Sequence, residues 1–316
     1  MQIFRLFSFL LIIANLTQSY VTIYGSWEHV TYRLGGEKTK VIISASLGGT
    51  SKPPAVACRP ARGCYNSTDM ECIRKAGCSS PDDERYCKTN NKYEEVNTDL
   101  LASEFGERLT QKFGGDADYS PHIIICHLHK SKVNVDSDLA NAAFGKERAA
   151  VAWREYHKFI DMAKAYSVGN NSNVLYIDLH GQSATEYSLV GVNLFTKGPS
   201  IIEKATLPDR LAQYSSIMQL HLDSGVPMEE LVRGNTSIGG LMEPDFLMFP
   251  APGRKLLEEL SYPYHFSSYS LRRHSGWRVN GMKVSVANSI RANTVLMTQF
   301  ADKLAEAVKF WVDNYL

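Results

Sequence analysis

The chain has 316 residues, with Lys plus Arg at 34 against Asp plus Glu at 33, a formal net charge of +1. That balance excludes a polybasic nucleic-acid groove or a basic membrane-facing surface as its organising feature. With 44% hydrophobic residues the chain has ample material for a buried core, so a disordered or purely fibrous class is excluded too.

Chain order begins with a stretch that reads as a secretory signal: Arg5, an apolar run from Leu6 to Ala14, then Thr17 and Ser19. Residues 1–19 are therefore expected to be a signal peptide and 20–316 a secreted, extracellular chain. The run is too short for a retained span, and no later segment is long and apolar enough, so no membrane span is expected. Val21 to Tyr24 and His29 to Leu34 alternate like a hairpin. Lys40 to Ala45 is a continuous apolar run ending at Gly48-Gly49, the pattern of a buried strand entering a tight turn.

From about 50 to 92 the composition shifts to Pro, Gly, Asn, Ser, charge and cysteine, which predicts a surface insertion without regular periodicity. Helical spacing returns at Thr98 to Phe113, with Leu101, Phe105 and Leu109 on one face. His122 to Leu128 predicts a second buried strand, Ala140 to Tyr166 one long helix, and Val174 to Leu179 a third strand. Tyr187 to Phe195 reads as a fourth strand and Leu207 to Leu222 as a helix. Met297, Phe300, Ala301, Leu304, Val308, Trp311, Val312 and Tyr315 form the stripe of a last helix. Strands alternating with helices predict a single α/β domain over 20–316, with a mostly parallel sheet and helices on both faces.

Six cysteines, Cys58, Cys64, Cys72, Cys78, Cys87 and Cys126, lie in a chain with an export signal, so disulfides are expected, Cys126 taking the odd partner of the cluster. Their spacing contains no C-x-x-C pair for a zinc finger. Sequons at Asn66, Asn170 and Asn235 fall in Gly/Asn/Ser-rich stretches and predict N-glycosylation on loops.

The ligand crevice of such a sheet lies at the carboxyl ends of its strands, which gathers Ser46 to Gly49, His127 to Lys132 and His180-Gly181. Asp178 and His180 stand two residues apart at a strand end, hence on one face, where the carboxylate can orient a metal-bound imidazole. A hydrogen-bonded histidine at a sheet edge gives the same pattern. His127 and His129 form a second such pair, able to share a metal, or simply polar residues at a strand exit with Lys130 and Lys132 beside them. Arg272 and Arg273, with Lys132, offer an anion-binding reading, against that of a solvated loop. No G-x-S-x-G, Walker or G-x-G-x-x-G motif occurs, so serine-hydrolase, nucleotide and dinucleotide chemistry has no support.

Five blocks in order, Val41 to Gly49, Leu128 to Ser137, Ile177 to Gln182, Gly234 to Gly239 and Tyr269 to Ser275, resemble the N-formylglutamate amidohydrolase-like family. The resemblance implies a zinc-carboxypeptidase-like fold. It also implies a metal site from which this chain departs: Leu47 stands where the family has a histidine ligand, and Ala287 where it has a glutamate suited to act as base. Asn134, Asp136 and Ser137 stand where an Asn-Arg pair grips a substrate carboxylate. Only His180 persists as a remnant metal ligand, with Asp178 behind it. The expectation is a secreted, catalytically inactive homologue binding an extracellular protein or glycan, with no cofactor and no confident catalytic residue. Two alternatives remain. One is a zinc-dependent amidohydrolase with rearranged ligands, recruiting His180, His127 or His129 and an acid such as Glu95 or Asp178; the other is an anion- or glycan-binding module.

Overall fold

A computed structural model describes residues 20–59, 64–66, 71–73, 95–171, 173–194, 206–252 and 267–316. The expected signal peptide at 1–19 and most of the Cys-rich segment lie outside the described residues. The apolar runs at Val41–Ala45 (β3), His122–Cys126 (β6) and Val174–Gln182 (β7) are strands, as their composition predicts. With Val279–Ala287 (β10) they form the parallel centre of an eight-stranded sheet. Antiparallel neighbours extend it: Thr22–Tyr24 (β1) and Val30–Arg33 (β2) on one side, Ser188–Gly191 (β8) on the other. Met248–Phe249 (β9) completes the order β1-β2-β6-β3-β7-β10-β8-β9. Cys64–Asn66 (β4) and Glu71–Ile73 (β5) pair with each other in a separate ribbon.

Helices cover both faces. Thr98–Lys112 (α1) places Leu101, Phe105 and Leu109 against Ile43, Ile123 and Leu175. Thr294–Tyr315 (α9) adds Phe300, Leu304, Val308 and Trp311 to the same layer. Each such side chain contributes roughly 1.5–3 kcal/mol by leaving water. On the opposite face Glu147–Asn170 (α3) buries Tyr156, Phe159 and Ile160 with Ile42, Ile124 and Tyr176. The alternation along β7 follows: Leu175, Ile177 and Leu179 enter the α1–α9 layer, Val174 and Tyr176 the α3 layer. Asp178 and His180 continue the latter row. Among the described residues no helix is long and apolar enough to cross a membrane.

Two helix expectations need correction. The long helix from Ala140 to Tyr166 is two, Leu139–Ala143 (α2) and α3, parted where Phe144 and Gly145 take positive φ of 48° and 67°. Left-handed backbone ends an α-helix, and Gly145 supplies it at no steric cost. Leu207 to Leu222 likewise divides into a 3₁₀ segment, Asp209–Tyr214, and the helix Met218–Ser224 (α4). The Ser215-Ser216 joint between them bonds to the Val192 carbonyl of the neighbouring loop instead of extending a helix. The remaining helices are short: Met228–Arg233 (α5), Ile238–Met242 (α6), Tyr269–His274 (α7) and Asn288–Arg291 (α8).

The cysteine expectation also changes. Cys126 is a free thiol, fully buried in the α3 layer, and burial pushes it up to about 12; Cys58 is free and exposed. Neither makes a disulfide. Cys126 sits where β2, β6 and α3 pack, so its residue type serves as a small core side chain. The side chains of Cys64, Cys72, Cys78 and Cys87 lie outside the described residues. Asn170 is exposed at the end of α3, not in a loop, and Asn235 is exposed between α5 and α6; the side chain of Asn66 is not among those described.

Candidate functional site

The crevice is built by register. Parallel pairing sets Ser44 of β3 opposite Asp178 of β7, and Lys283 of β10 opposite the same Asp178. Ser285 stands opposite His180. Three adjacent strands therefore present polar side chains at one level of an otherwise apolar sheet.

Asp178 is wholly buried and fully engaged. Ser44 Oγ donates to its Oδ1 at 2.9 Å, and Ser268 Oγ donates to its Oδ2. Ser268 is also the N-cap of α7, accepting from Leu271 N. Asp178 Oδ2 lies 2.9 Å from Nε2 of His180, which is only 2% exposed. The other ring nitrogen, Nδ1, lies 3.1 Å from Glu95 Oε2, which also accepts from Gly181 N at 2.9 Å. Asp136 Oδ2 stands 3.8 Å from His180 Nε2, held by the backbone N–H of Ser270 in the first turn of α7.

One imidazole thus sits among three carboxylates. Burial alone pushes its pKa down, but Asp178 and Glu95, with a smaller pull from Asp136, outweigh it and raise His180 to about 10. Burial opposes ionisation of Glu95, yet the His180 charge and hydrogen bond, with Lys130 and Gly181 N, hold it at about 2. Burial opposes Asp178 in the same way, and His180 holds it below the usual carboxylate range. Asp136 goes the other way, raised by burial with a contribution from Asp178. These surroundings favour the imidazolium form of His180, in which the two N–H groups donate to Asp178 and Glu95.

The positive side is completed by Lys283, whose field reaches Asp136 and His180, and by Arg291 of α8, whose field reaches Glu95. Arg291 is buried and donates to the carbonyls of Val286, Val96 and Gln182. Its approach requires glycine beneath it: a Cβ on Gly181 would lie 2.5 Å from the guanidinium carbon. Three acids thus lie in the fields of four basic groups of the same chain, His180, Lys283, Arg291 and Lys130.

One oxygen each from Asp136 and Asp178 and a ring nitrogen of His180 lie within 4.8 Å of one another, a possible metal-binding triad and the one such group among the described residues. Two carboxylate oxygens and one imidazole nitrogen are donors that zinc accepts. Here the ring nitrogen lies 2.9 Å from Asp178 Oδ2, so an ion could be held only by breaking that contact and releasing any proton the nitrogen carries. Leu47 and Ala287 are buried apolar residues at their strand ends and add no ligand.

The other sequence candidates do not join this cluster. His127 Nε2 bonds Thr31 Oγ1 at 2.8 Å, and His129 Nδ1 bonds Ser131 Oγ at 2.7 Å. Lys132 is buried with its ammonium on the Val56 carbonyl at 2.8 Å, a structural tie. Arg273 lies over the Trp153 ring, and Arg272 reaches Ser267 Oγ. Sequence reasoning found His180, Asp178 and, as a candidate acid, Glu95. It had Asp136 only as a residue standing where the resemblance puts a carboxylate-gripping Asn-Arg pair, and it missed Ser44, Ser268, Lys283 and Arg291. Lys283 interrupts an apolar strand and was a usable signal; the serines carried none.

No protein-family model and no curated protein matches the chain. Solved structures do. N-formylglutamate amidohydrolase from Ralstonia eutropha JMP134 is similar with a TM-score of 0.46 at 11% identity, over 89% of this chain and 98% of that one. Gene product Atu2144 from Agrobacterium tumefaciens gives 0.45 at 11% identity, over 90% and 95%. A metallo-carboxypeptidase from Burkholderia cenocepacia gives 0.43 at 11% identity, over 95% and 67%. A likeness this distant assigns no activity to any residue of this chain.

Proposed function

We propose that this chain is an exported, non-catalytic relative of metal-dependent amidohydrolases that works as an extracellular binding protein. The observation that supports it is the commitment of both His180 ring nitrogens to carboxylates, 2.9 Å from Asp178 and 3.1 Å from Glu95. Metal-dependent amide hydrolysis needs an ion that polarises the carbonyl and activates water, and a base to take the proton. Here the persisting histidine is a cation, and an alanine stands at the expected base position. Export rests on the signal-like 1–19 stretch and the sequons. The test is elemental analysis of protein purified without chelator and dialysed against zinc. We expect well under one equivalent, with unchanged melting in EDTA. One equivalent of zinc that disappears in His180→Ala would overturn the reading.

A second reading is favoured by the close spacing of Asp136, Asp178 and His180: a hydrolase with rearranged ligands. In it those three side chains would hold the ion, which would supply Lewis-acid polarisation of an amide carbonyl. Glu95 would keep its place beside His180 and Gly181 N. The same zinc measurement separates the two.

A further inference from the structure

A second site lies on the sheet face next to the β1–β2 hairpin, where a groove of about 440 Å³ opens between β1, β2, β6 and α1. Its polar lining includes Tyr24, Glu28, Thr31, Arg33, Ser103 and His127. None of these belongs to the cluster around His180. We propose that this groove binds a neutral saccharide, a role that goes beyond the state of the crevice.

Three observations carry the argument. First, the lining mixes signs. Glu28 and Arg33 share one groove, so an anion meets the carboxylate and a cation meets the guanidinium. A neutral ligand meets neither penalty. Burial lowers the His127 pKa, so its ring is a neutral donor and acceptor. Thr31 Oγ1 is bonded to His127 Nε2 at 2.8 Å and Ser103 Oγ donates to the Asp99 carbonyl at 3.2 Å, so each hydroxyl keeps spare capacity. The buried Nε and Nη2 of Arg33 have no hydrogen-bond partner, the Glu107 carboxylate being 3.7 Å from its Nη1. Polyhydroxylated ligands both donate and accept, which suits such a lining.

Second, the groove joins this polar lining to apolar surface, as a pyranose joins hydroxyls to a C–H face. Ile123 and Ile125 contribute to its wall, and Tyr24 is 61% exposed at β1. Trp27, next to Glu28, is 53% exposed, with Arg148 Cζ 4.6 Å from its ring centroid. Amphipathic rings left half in water are poor core elements and good contact surfaces.

Third, the turn that presents them is strained. Trp27 and Glu28 take φ of 55° and 58° in succession, each a left-handed conformation that costs a non-glycine residue about 1–2 kcal/mol. The turn is held by Glu155, which accepts from Ser26 N at 2.9 Å and from Ser26 Oγ at 2.7 Å. Strain that neighbours over-determine is found where a side chain must point at a ligand, and here it brings Glu28 into the groove.

The experiment is calorimetric titration of the mature chain with chitotriose, maltotriose, mannotriose and lactose. At least one should bind with a dissociation constant of about 1 mM or tighter. Glu28→Gln and Tyr24→Ala should each weaken that binding by about tenfold or more, and both positions lie where substitution leaves the core packed. No heat from any of the four at about 10 mM, or equal affinity in both variants, overturns the proposal. So does tighter binding of glucuronate or glucosamine than of glucose.

Discussion

Replacing Glu95 by Gln removes one charge from the His180 cluster while leaving an oxygen for the Gly181 N–H. The carboxyl group drops from 4.5 to about 2 in the folded chain. At about 1.4 kcal/mol for each tenfold change in proton affinity, the surroundings of Glu95, chiefly His180 with smaller parts from Lys130 and Gly181 N, favour its ionised form by about 3 kcal/mol net of burial at neutral pH. The side chain is only 12% exposed, so solvent screening takes little from that figure. The rise of His180 to about 10 is larger because it sums three carboxylates, so the Glu95 value is the one that bears on this substitution. The sign follows from linkage. A depressed carboxylate stabilises fully above 4.5 and loses that contribution as pH falls through about 2. A raised imidazole stabilises fully below 6.5 and loses it as pH rises through about 10. Urea denaturation followed by far-UV circular dichroism should therefore show Glu95→Gln destabilised by about 3 kcal/mol at pH 7, with the gap closing toward pH 2 and narrowing above pH 10. A gap below about 1 kcal/mol at pH 7, or one that does not change with pH, would refute the charged cluster.

Three further outcomes are expected. Gly181→Ala places a Cβ 2.5 Å from the Arg291 guanidinium carbon, so it should destabilise by about 2 kcal/mol, read as a lower midpoint in thermal melting. In native protein a thiol reagent should modify Cys58 and spare Cys126, whose thiol is buried and held at about 12; labelling in Cys58→Ser and Cys126→Ser variants, with and without denaturant, assigns each site. Leu304→Ala on α9 empties a fully buried position in the larger core and should cost about 2–5 kcal/mol by chemical denaturation; a loss under about 1 kcal/mol would mean that α9 is not packed as described.

The parallel centre of the sheet was legible because strands buried on both faces are written as apolar runs, and β3, β6 and β7 are such runs. The final helix was legible from its stripe. β10 was harder: Asn280, Gly281, Lys283 and Ser285 break its apolar pattern, because Asn280 Oδ1 accepts from Leu220 N of α4, the Gly281 carbonyl accepts from Ser216 Oγ, and Lys283 and Ser285 stand opposite Asp178 and His180. The break at Phe144-Gly145 was hidden by continuous helical spacing on either side of one left-handed pair. Within the site, Asp178 and His180 were found because two residues of spacing at a strand end put them on one face. Glu95 enters 85 residues away in sequence, and Asp136 from a loop. Only tertiary pairing shows that these acids and one histidine meet. Cysteine spacing under an export signal pointed to disulfides, and Cys126 was instead spent on packing.

The line of Ser44, Asp178 and Lys283 across three strands has a consequence for how the sheet assembles. A slip of β7 by a single residue would move Asp178 and His180 out of reach of Ser44, Ser268, Glu95 and Asp136 and into the layer occupied by Leu304 and Phe300. An apolar strand pair tolerates such misalignment with modest loss, whereas two stranded charges in a hydrocarbon interior do not. The buried cluster around His180 therefore acts as a proofreader of strand alignment, rejecting shifted pairings that the surrounding isoleucines and valines would accept. Substitutions at Asp178 should accordingly surface as lower yields of folded protein, a dependence set by strand pairing and separate from any chemistry at the crevice.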